Sequence, residues 1–199
     1  MGIGARETIT LALLAAFLVG AVSIVWKSWR NGISPMPSSA QVRSVVAKEI
    51  NRLGGNGSII EAGSGWGTLG IHIGNNCNGW RLVGVENSPV PLTVSRLAAW
   101  LTFGVYPGGG QSRSSPGLRN PVVFRKGDIY KTTYTGADIV VCYLYPGAMK
   151  KLEPILREQL APGARVISVC FALPGWQPER VVACGDLYRT KVYVYRKDS

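Results

Sequence analysis

Ser58-Ile59-Ile60-Glu61-Ala62-Gly63-Ser64-Gly65-Trp66-Gly67-Thr68-Leu69-Gly70 is the stretch that decides the fold of this chain. A short apolar run closes on an acid, glycines then fall at every second position, and Leu69, Ile71 and Ile73 open a new apolar segment. The first run suits a buried parallel strand and the second a helix. Glycine has no Cβ, so the turn between them can take positive φ and let a ligand lie against bare backbone. The unpaired N–H groups at the start of the helix point into the same space. Strand, glycine turn and helix in that order place a nucleotide-like ligand at the carboxyl edge of a parallel sheet.

Two ligand classes share that geometry. Gly65-Trp66-Gly67-Thr68-Leu69-Gly70 fits the G-x-G-x-x-G dinucleotide fingerprint, a weak signal by itself. Glu61-Ala62-Gly63-Ser64-Gly65-Trp66-Gly67 fits another pattern, an acid followed after one residue by three alternating glycines. This second pattern resembles motif I of the class I S-adenosyl-L-methionine (SAM) methyltransferases. A carboxylate at the loop mouth repels a pyrophosphate and attracts the ammonium and sulfonium charges of SAM. Dinucleotide binding and a purely structural turn stay open as alternatives.

The strands that follow extend the site. Arg81 to Glu86 is again apolar and ends in an acid. Glu86 lies about twenty residues beyond the glycines, the spacing at which a carboxylate reaches a ribose diol in such folds. Asn87 stands beside it; the alternative for Glu86 is a helix-capping acid ahead of Pro89. Pro121 to Arg125 is a third strand, followed by Gly127-Asp128-Ile129. Asp128 can accept from the exocyclic amine of an adenine while Ile129 packs on the ring, the alternative being a simple turn. Ala137 to Pro146 is a continuous apolar fourth strand running into a proline. The fourth strand neighbours the first in this topology, so Tyr143, Tyr145 and Pro146 at its carboxyl end are candidates for the catalytic floor. A helix over 148–160 and a fifth strand over 164–171 follow, then Ala172 to Pro178, a rigid loop that presents Trp176 at the pocket rim. Arg180 to Cys184 and Thr190 to Arg196, joined through Gly185-Asp186, form a terminal antiparallel hairpin.

Two further helices flank these strands. Val42, Val45, Val46, Ile50 and Leu53 recur at helical spacing with Arg43, Lys48, Glu49 and Arg52 between them, a helix Ser38 or Ser39 can cap and Gly54-Gly55 can end. Pro89 to Phe103 reads as a helix with Leu92, Leu97, Trp100 and Leu101 on its apolar side. The glycine-rich stretch 104–120 reads as a mobile surface loop.

Ahead of the domain, Thr8 to Trp26 is an uncharged run of Leu, Ala, Val, Ile and Phe. As a helix it spans about 28 Å, roughly the hydrocarbon thickness of a bilayer. Trp26 and Trp29 stand at one end, where interfacial aromatics gather, and no small-residue cleavage site follows. Residues 1–30 therefore read as an uncleaved single-pass membrane anchor in contact with lipid, 31–39 as a proline-containing linker and 40–199 as the catalytic domain. Lys27, Arg30, Arg43 and Lys48 outweigh Arg6, which puts that domain on the cytoplasmic side or its organellar equivalent.

Composition narrows the chemistry. The chain has 199 residues, room for one domain plus an appendage, and 22 Lys and Arg against 11 acids give a net charge of +11. The basic residues are scattered and no RNA-reading module is evident, which speaks against nucleic acid as partner. The four cysteines show no C-x-x-C spacing and read as buried reduced thiols, and the single histidine, His72, leaves zinc sites and Ser-His triads unsupported, so no metal is expected.

Pro35-Met36-Pro37-Ser38 behind the anchor, Glu61 to Gly67, Val85-Glu86-Asn87-Ser88-Pro89, Gly127-Asp128-Ile129, Val140 to Pro146 and Phe171-Ala172-Leu173-Pro174-Gly175-Trp176 together resemble the small single-pass membrane lysine methyltransferases. The mitochondrial enzymes acting on the c-type rotor protein of ATP synthase and on the adenine nucleotide translocase belong to that group. The resemblance implies an α/β fold, the Rossmann-like class I methyltransferase three-layer sandwich with a mostly parallel seven-stranded sheet. It implies SAM as cofactor, held by Glu61, Gly63, Ser64, Gly65, Trp66, Gly67, Glu86, Asn87, Asp128 and Ile129. It implies methyl transfer to lysine in a protein substrate, a membrane protein among the candidates, with Tyr143, Tyr145, Pro146 and Trp176 as catalytic residues. Stretch 104–119 departs from the group as an apparent insertion. A methyltransferase of a small molecule, lipid or RNA, and a non-enzymatic dinucleotide-binding membrane protein, stay open beside it.

Overall fold

The computed structural model describes residues 4–31, 37–104 and 122–198. Its contacts divide the chain into two compact units, Met1–Pro35 and Met36–Ser199. The first consists of α1 (Ala5–Asn31), from which Ile9, Leu13, Phe17 and Val19 project exposed. Its segment Ala5–Val22 is long and apolar enough to cross a membrane by length and composition. The expected interfacial Trp26 and Trp29, and residues 32–36 of the linker, lie outside the described side chains and residues.

The second unit runs α2 (Ala40–Leu53), β1 (Gly57–Ala62), α3 (Thr68–Asn76), β2 (Trp80–Glu86), α4 (Pro89–Phe103), β3 (Val122–Lys126), β4 (Ile139–Cys142), α5 (Pro146–Gln159), β5 (Arg165–Val169), β6 (Arg180–Ala183) and β7 (Lys191–Arg196). The strands make one seven-stranded sheet in the order β3-β2-β1-β4-β5-β7-β6. The first five in that order are parallel, and β7 is antiparallel to both β5 and β6. The winding direction reverses between β1 and β4, and a crevice outside the strand ends opens at such a switch point. This is the expected three-layer sandwich.

Alternation along the strands sends side chains to two cores. Ile59, Leu82, Val122, Phe124, Val141 and Ile167 pack against α2, α3 and α4. Ala62, Val140, Cys142, Val166 and Tyr195 pack against Ala148, Met149, Leu152 and Leu156 of α5. The helix ends follow local chemistry. Ser39 caps α2 by accepting from the Val42 N–H at 3.2 Å, and Gly54 ends that helix at φ 66°. Pro89 and Pro146 sit in the first turns of α4 and α5, where their missing N–H groups are not needed.

Three features differ from the sequence expectations. Strand β4 stops at Cys142, so Tyr143 to Tyr145 form a connection and Pro146 opens α5. On α4 the core takes Pro91, Leu92, Ser95, Ala99 and Phe103, whereas Leu97, Trp100 and Leu101 are exposed. That helix is apolar on both sides, so periodicity alone could not choose its inner face. Glu49, expected among the solvated residues of α2, is buried and pairs with Arg180 of β6 at 3.1 Å. Of the loop expected over 104–120, Gly104 caps α4 and the rest lies outside the described residues.

Candidate active site

The glycine turn between β1 and α3 is shaped by its neighbours. Gly63 has φ 75°, and a Cβ there would come within 2.7 Å of Leu144 Cδ2. Gly67 caps α3 at φ 76°, where a Cβ would meet Phe124 and Ser95 at 2.7 Å. The N–H groups of Gly63 and Ser64 both donate to the Val85 carbonyl at 3.0 Å, and that of Gly67 donates to the Ser64 carbonyl at 2.9 Å. The Gly65 N–H donates to Glu86 Oε2 at 2.8 Å. These donors are committed to the protein, which leaves them unsuited to cradle a pyrophosphate.

The amino end of α3 is filled as well. Glu61 lies under the turn, 4% exposed, and accepts the Gly70 N–H. Burial above all, then the neighbouring charge of Glu86, pushes the Glu61 carboxyl up to about 8. Glu61 Oε2 and Ser64 Oγ are buried with no hydrogen-bond partner among the described groups. An orphaned buried polar atom costs about 1–3 kcal/mol, so both suit a site completed by a ligand's donor.

Glu86 is the hinge of the cleft. Its Oε1 accepts the Ser88 N–H at 2.7 Å while Oε2 holds Gly65, so one carboxylate ties the turn to the start of α4. Asn87 Oδ1 lies 3.1 Å from the Ser88 hydroxyl. The Gly127 N–H donates to the Glu86 carbonyl at 3.0 Å, which brings Asp128 and Ile129 beside Glu86 at the carboxyl ends of β3 and β2. Asp128 Oδ1 accepts the Tyr130 N–H at 2.9 Å, and the Ile129 carbonyl accepts the Tyr134 hydroxyl at 2.8 Å. Both acids therefore cap local backbone. A carboxylate has about four acceptor positions, so capping still leaves lone pairs for a diol or an amine.

The aromatic candidates divide between the layers. Tyr143 is half-buried against the core under α2 to α4, beside Cys170. Tyr145 and Trp176 pack with the α5 core, and Tyr145 hydrogen-bonds the Tyr130 side chain. The Trp176 indole N–H donates to Glu153 Oε1 at 2.8 Å, and the Arg157 guanidinium lies 5.5 Å from the ring centre. Trp176 is thus fastened to α5, whereas Tyr143 directly follows the carboxyl end of β4.

Beside Tyr143 the structure adds an acid that the sequence marked only as a turn. Asp186, between β6 and β7, accepts the Thr190 N–H at 2.7 Å and the Thr190 hydroxyl. That hydroxyl, foremost, holds its carboxyl below the usual carboxylate range. Burial first, then Cys170, Asp186 and Cys184, raises the Tyr143 hydroxyl. Cys170 takes φ 72°, unusual for a residue with a Cβ. An acid in a Gly-Asp turn was the available signal, but only the β5-β7-β6 pairing carries it to the carboxyl end of β5.

Comparison with known proteins fits this geometry. The adenine nucleotide translocase lysine N-methyltransferase of Mus musculus is 30% identical over 148 residues, 74% of this chain and 57% of that protein. The Mus musculus lysine N-methyltransferase of the ATP synthase c-subunit is also 30% identical over 148 residues, 74% of this chain and 52% of that protein. The chain thus spans little more than half the length of these relatives. A solved RNA methyltransferase from Salinibacter ruber, in complex with S-adenosyl-L-homocysteine, superposes with a TM-score of 0.66 at 28% identity, over 82% of this chain and 95% of that one. The model of the ANTKMT methyltransferase domain family matches residues 61–180, from the buried acid of β1 to the first residue of β6. With that match covering more than half its length, and with the class I methyltransferase sheet beneath it, the chain belongs to the ANTKMT methyltransferase-domain family.

Proposed function

We propose that this chain is a membrane-anchored, SAM-dependent methyltransferase whose acceptor is a lysine side chain of a protein. The observation that carries the cofactor is the plugged amino end of α3. Glu61 occupies the position an anion-binding turn leaves for phosphate, and its unpartnered oxygen suits a cationic donor instead. Glu61 and Ser64 would hold the methionine ammonium, Glu86 the ribose diol, and Asp128 with Ile129 the adenine, while Gly63 to Gly67, Trp66 and Asn87 line the cleft. When bound, SAM supplies a methyl group made electrophilic by its sulfonium.

The remaining work falls to the chain's own residues. A lysine must be neutral to attack, and an apolar, aromatic wall disfavours its ammonium form. Tyr143, Tyr145 and Pro146 would supply that wall from the two layers that meet at the end of β4, with Trp176 fixing the rim loop to α5. Asp186 lies on the acceptor side as the anion that meets the incoming ammonium. Aligning donor and acceptor and excluding water is the larger part of such catalysis. The relatives named as lysine methyltransferases support the acceptor class, and α1 supports anchoring.

The Salinibacter neighbour, with the net charge of +11, favours RNA as the second acceptor class. Incubating the chain with methyl-labelled SAM and a membrane extract separates the two. Label on protein lysines is expected; label confined to RNA or lipid overturns the lysine assignment. Calorimetry with SAM and with NAD tests the cofactor, and binding of NAD alone would refute it.

A further inference from the structure

Helix α4 is apolar on two opposite sides. One side, with Leu92, Ala99 and Phe103, closes the core. The other carries Val94, Leu97, Trp100 and Leu101, exposed by 43%, 54%, 44% and 71%. Val94, Leu97 and Leu101 recur at the three- and four-residue spacing of a single helix face, with Trp100 at its flank. A helix apolar all round is one covered all round, so this outer face calls for an occupant.

Charge identifies the occupant. From Asn87 to Gly127 the sequence contains no Asp or Glu, while Arg96, Arg113, Arg119, Arg125 and Lys126 are all cationic. Among the described ones, Arg96 of α4 donates to the Phe124 carbonyl at 3.0 Å, and Lys126 extends exposed from the same side of β3 that α4 covers. An apolar stripe with a tryptophan at its flank, on a helix whose described charged neighbours Arg96, Arg125 and Lys126 are all cationic, matches the headgroup and upper acyl region of an anionic bilayer. Such a contact rests on the anchoring proposed above, for which α1 is long and apolar enough, and on that reading a bilayer is a surface the chain meets.

We infer that the outer face of α4 is a second membrane contact, by which the methyltransferase domain itself lies on an anionic lipid surface through Val94, Leu97, Trp100 and Leu101. It is independent of which acceptor is methylated.

The test uses the full chain reconstituted in phosphatidylglycerol vesicles whose acyl chains carry bromine, a short-range quencher of tryptophan emission. The chain is expected to be quenched more than Trp100→Phe, and that difference isolates Trp100 from the other tryptophans. Leu97→Ser combined with Leu101→Ser changes only exposed positions, and it is expected to abolish the difference with the circular dichroism unaltered. Replacing phosphatidylglycerol by phosphatidylcholine, or adding salt, is expected to shrink it. Equal quenching of the chain and Trp100→Phe overturns the inference, as does a double variant that keeps the full difference. A double variant that changes the sedimentation of the chain while leaving quenching intact also overturns it, and assigns the face to a second copy.

Discussion

Glu86, the proposed ribose ligand, is also a structural tie, because its carboxylate accepts both the Gly65 and the Ser88 N–H groups. Glu86→Ala strands the Gly65 and Ser88 N–H groups and is expected to cost about 2–4 kcal/mol of stability, read by chemical denaturation. It is also expected to weaken SAM binding by at least about tenfold in calorimetry at a temperature where the variant stays folded. Unchanged affinity would remove Glu86 from the cofactor site. Glu61 gives a prediction of opposite character. Folded, it keeps its proton up to about pH 8; a glutamate at the ordinary 4.5 has lost it well before. Between those values the unfolded chain binds fewer protons than the folded one, so stability falls as pH rises. Glu61→Gln is expected to flatten that fall in denaturation curves taken across the window, and a slope as steep as before would show another group responsible. Glu61, Glu86 and Asp128 stand out as candidates in the sequence because each is an acid at or just beyond the end of an apolar run, and the structure places them at the carboxyl ends of β1, β2 and β3. Asp186 does not, since the approach of its turn to Tyr143 follows from β7 inserting between β5 and β6, a pairing no local pattern encodes.

At the scale of elements, the contact between α3 and the sheet depends on the absence of side chains. Gly104, at the end of α4, and Gly67 share a left-handed backbone, at φ 69° and 76°, but a Cβ at Gly104 meets nothing within 4 Å among the described residues while one at Gly67 meets Phe124 and Ser95 at 2.7 Å. Gly104→Ala is therefore expected to cost only the backbone strain, about 1–2 kcal/mol. Gly67→Ala adds overpacking of about 1–3 kcal/mol and shifts the turn that the cofactor would touch. Thermal denaturation of the two variants compares them directly, and equal losses would mean that α3 yields without strain. The same geometry explains what the sequence could show of the fold. Strands β1, β2, β3 and β5 announce themselves as short apolar runs, and the hairpin by its alternation. β4 was drawn too long because Tyr143, Leu144 and Tyr145 continue its apolar character after the ladder has ended. The inner face of α4 was hidden for a related reason: hydrophobicity marks what is covered, not what covers it.

For the whole molecule, an apolar helix at one end and a basic domain behind it change the kinetic problem of finding an acceptor. An enzyme held at a membrane meets membrane-embedded lysines at a high effective concentration, and soluble ones only by ordinary diffusion. Replacing Leu14, Phe17 and Leu18 of α1 together by lysine breaks the apolar run without touching the second unit's core. A charged residue at the centre of such a helix costs roughly 2.5–3.5 kcal/mol on insertion scales, so three of them prevent spanning. Methylation of a lysine in a reconstituted membrane protein is then expected to fall by roughly a hundredfold or more. The rate on a water-soluble lysine peptide is expected to stay unchanged, since the candidate site residues Glu61 to Trp176 all belong to the second unit. The ratio of the two rates is the measurement that matters. A fall in both would mean that α1 supports the catalytic unit itself, and a fall in neither would mean that the acceptor is reached from solution.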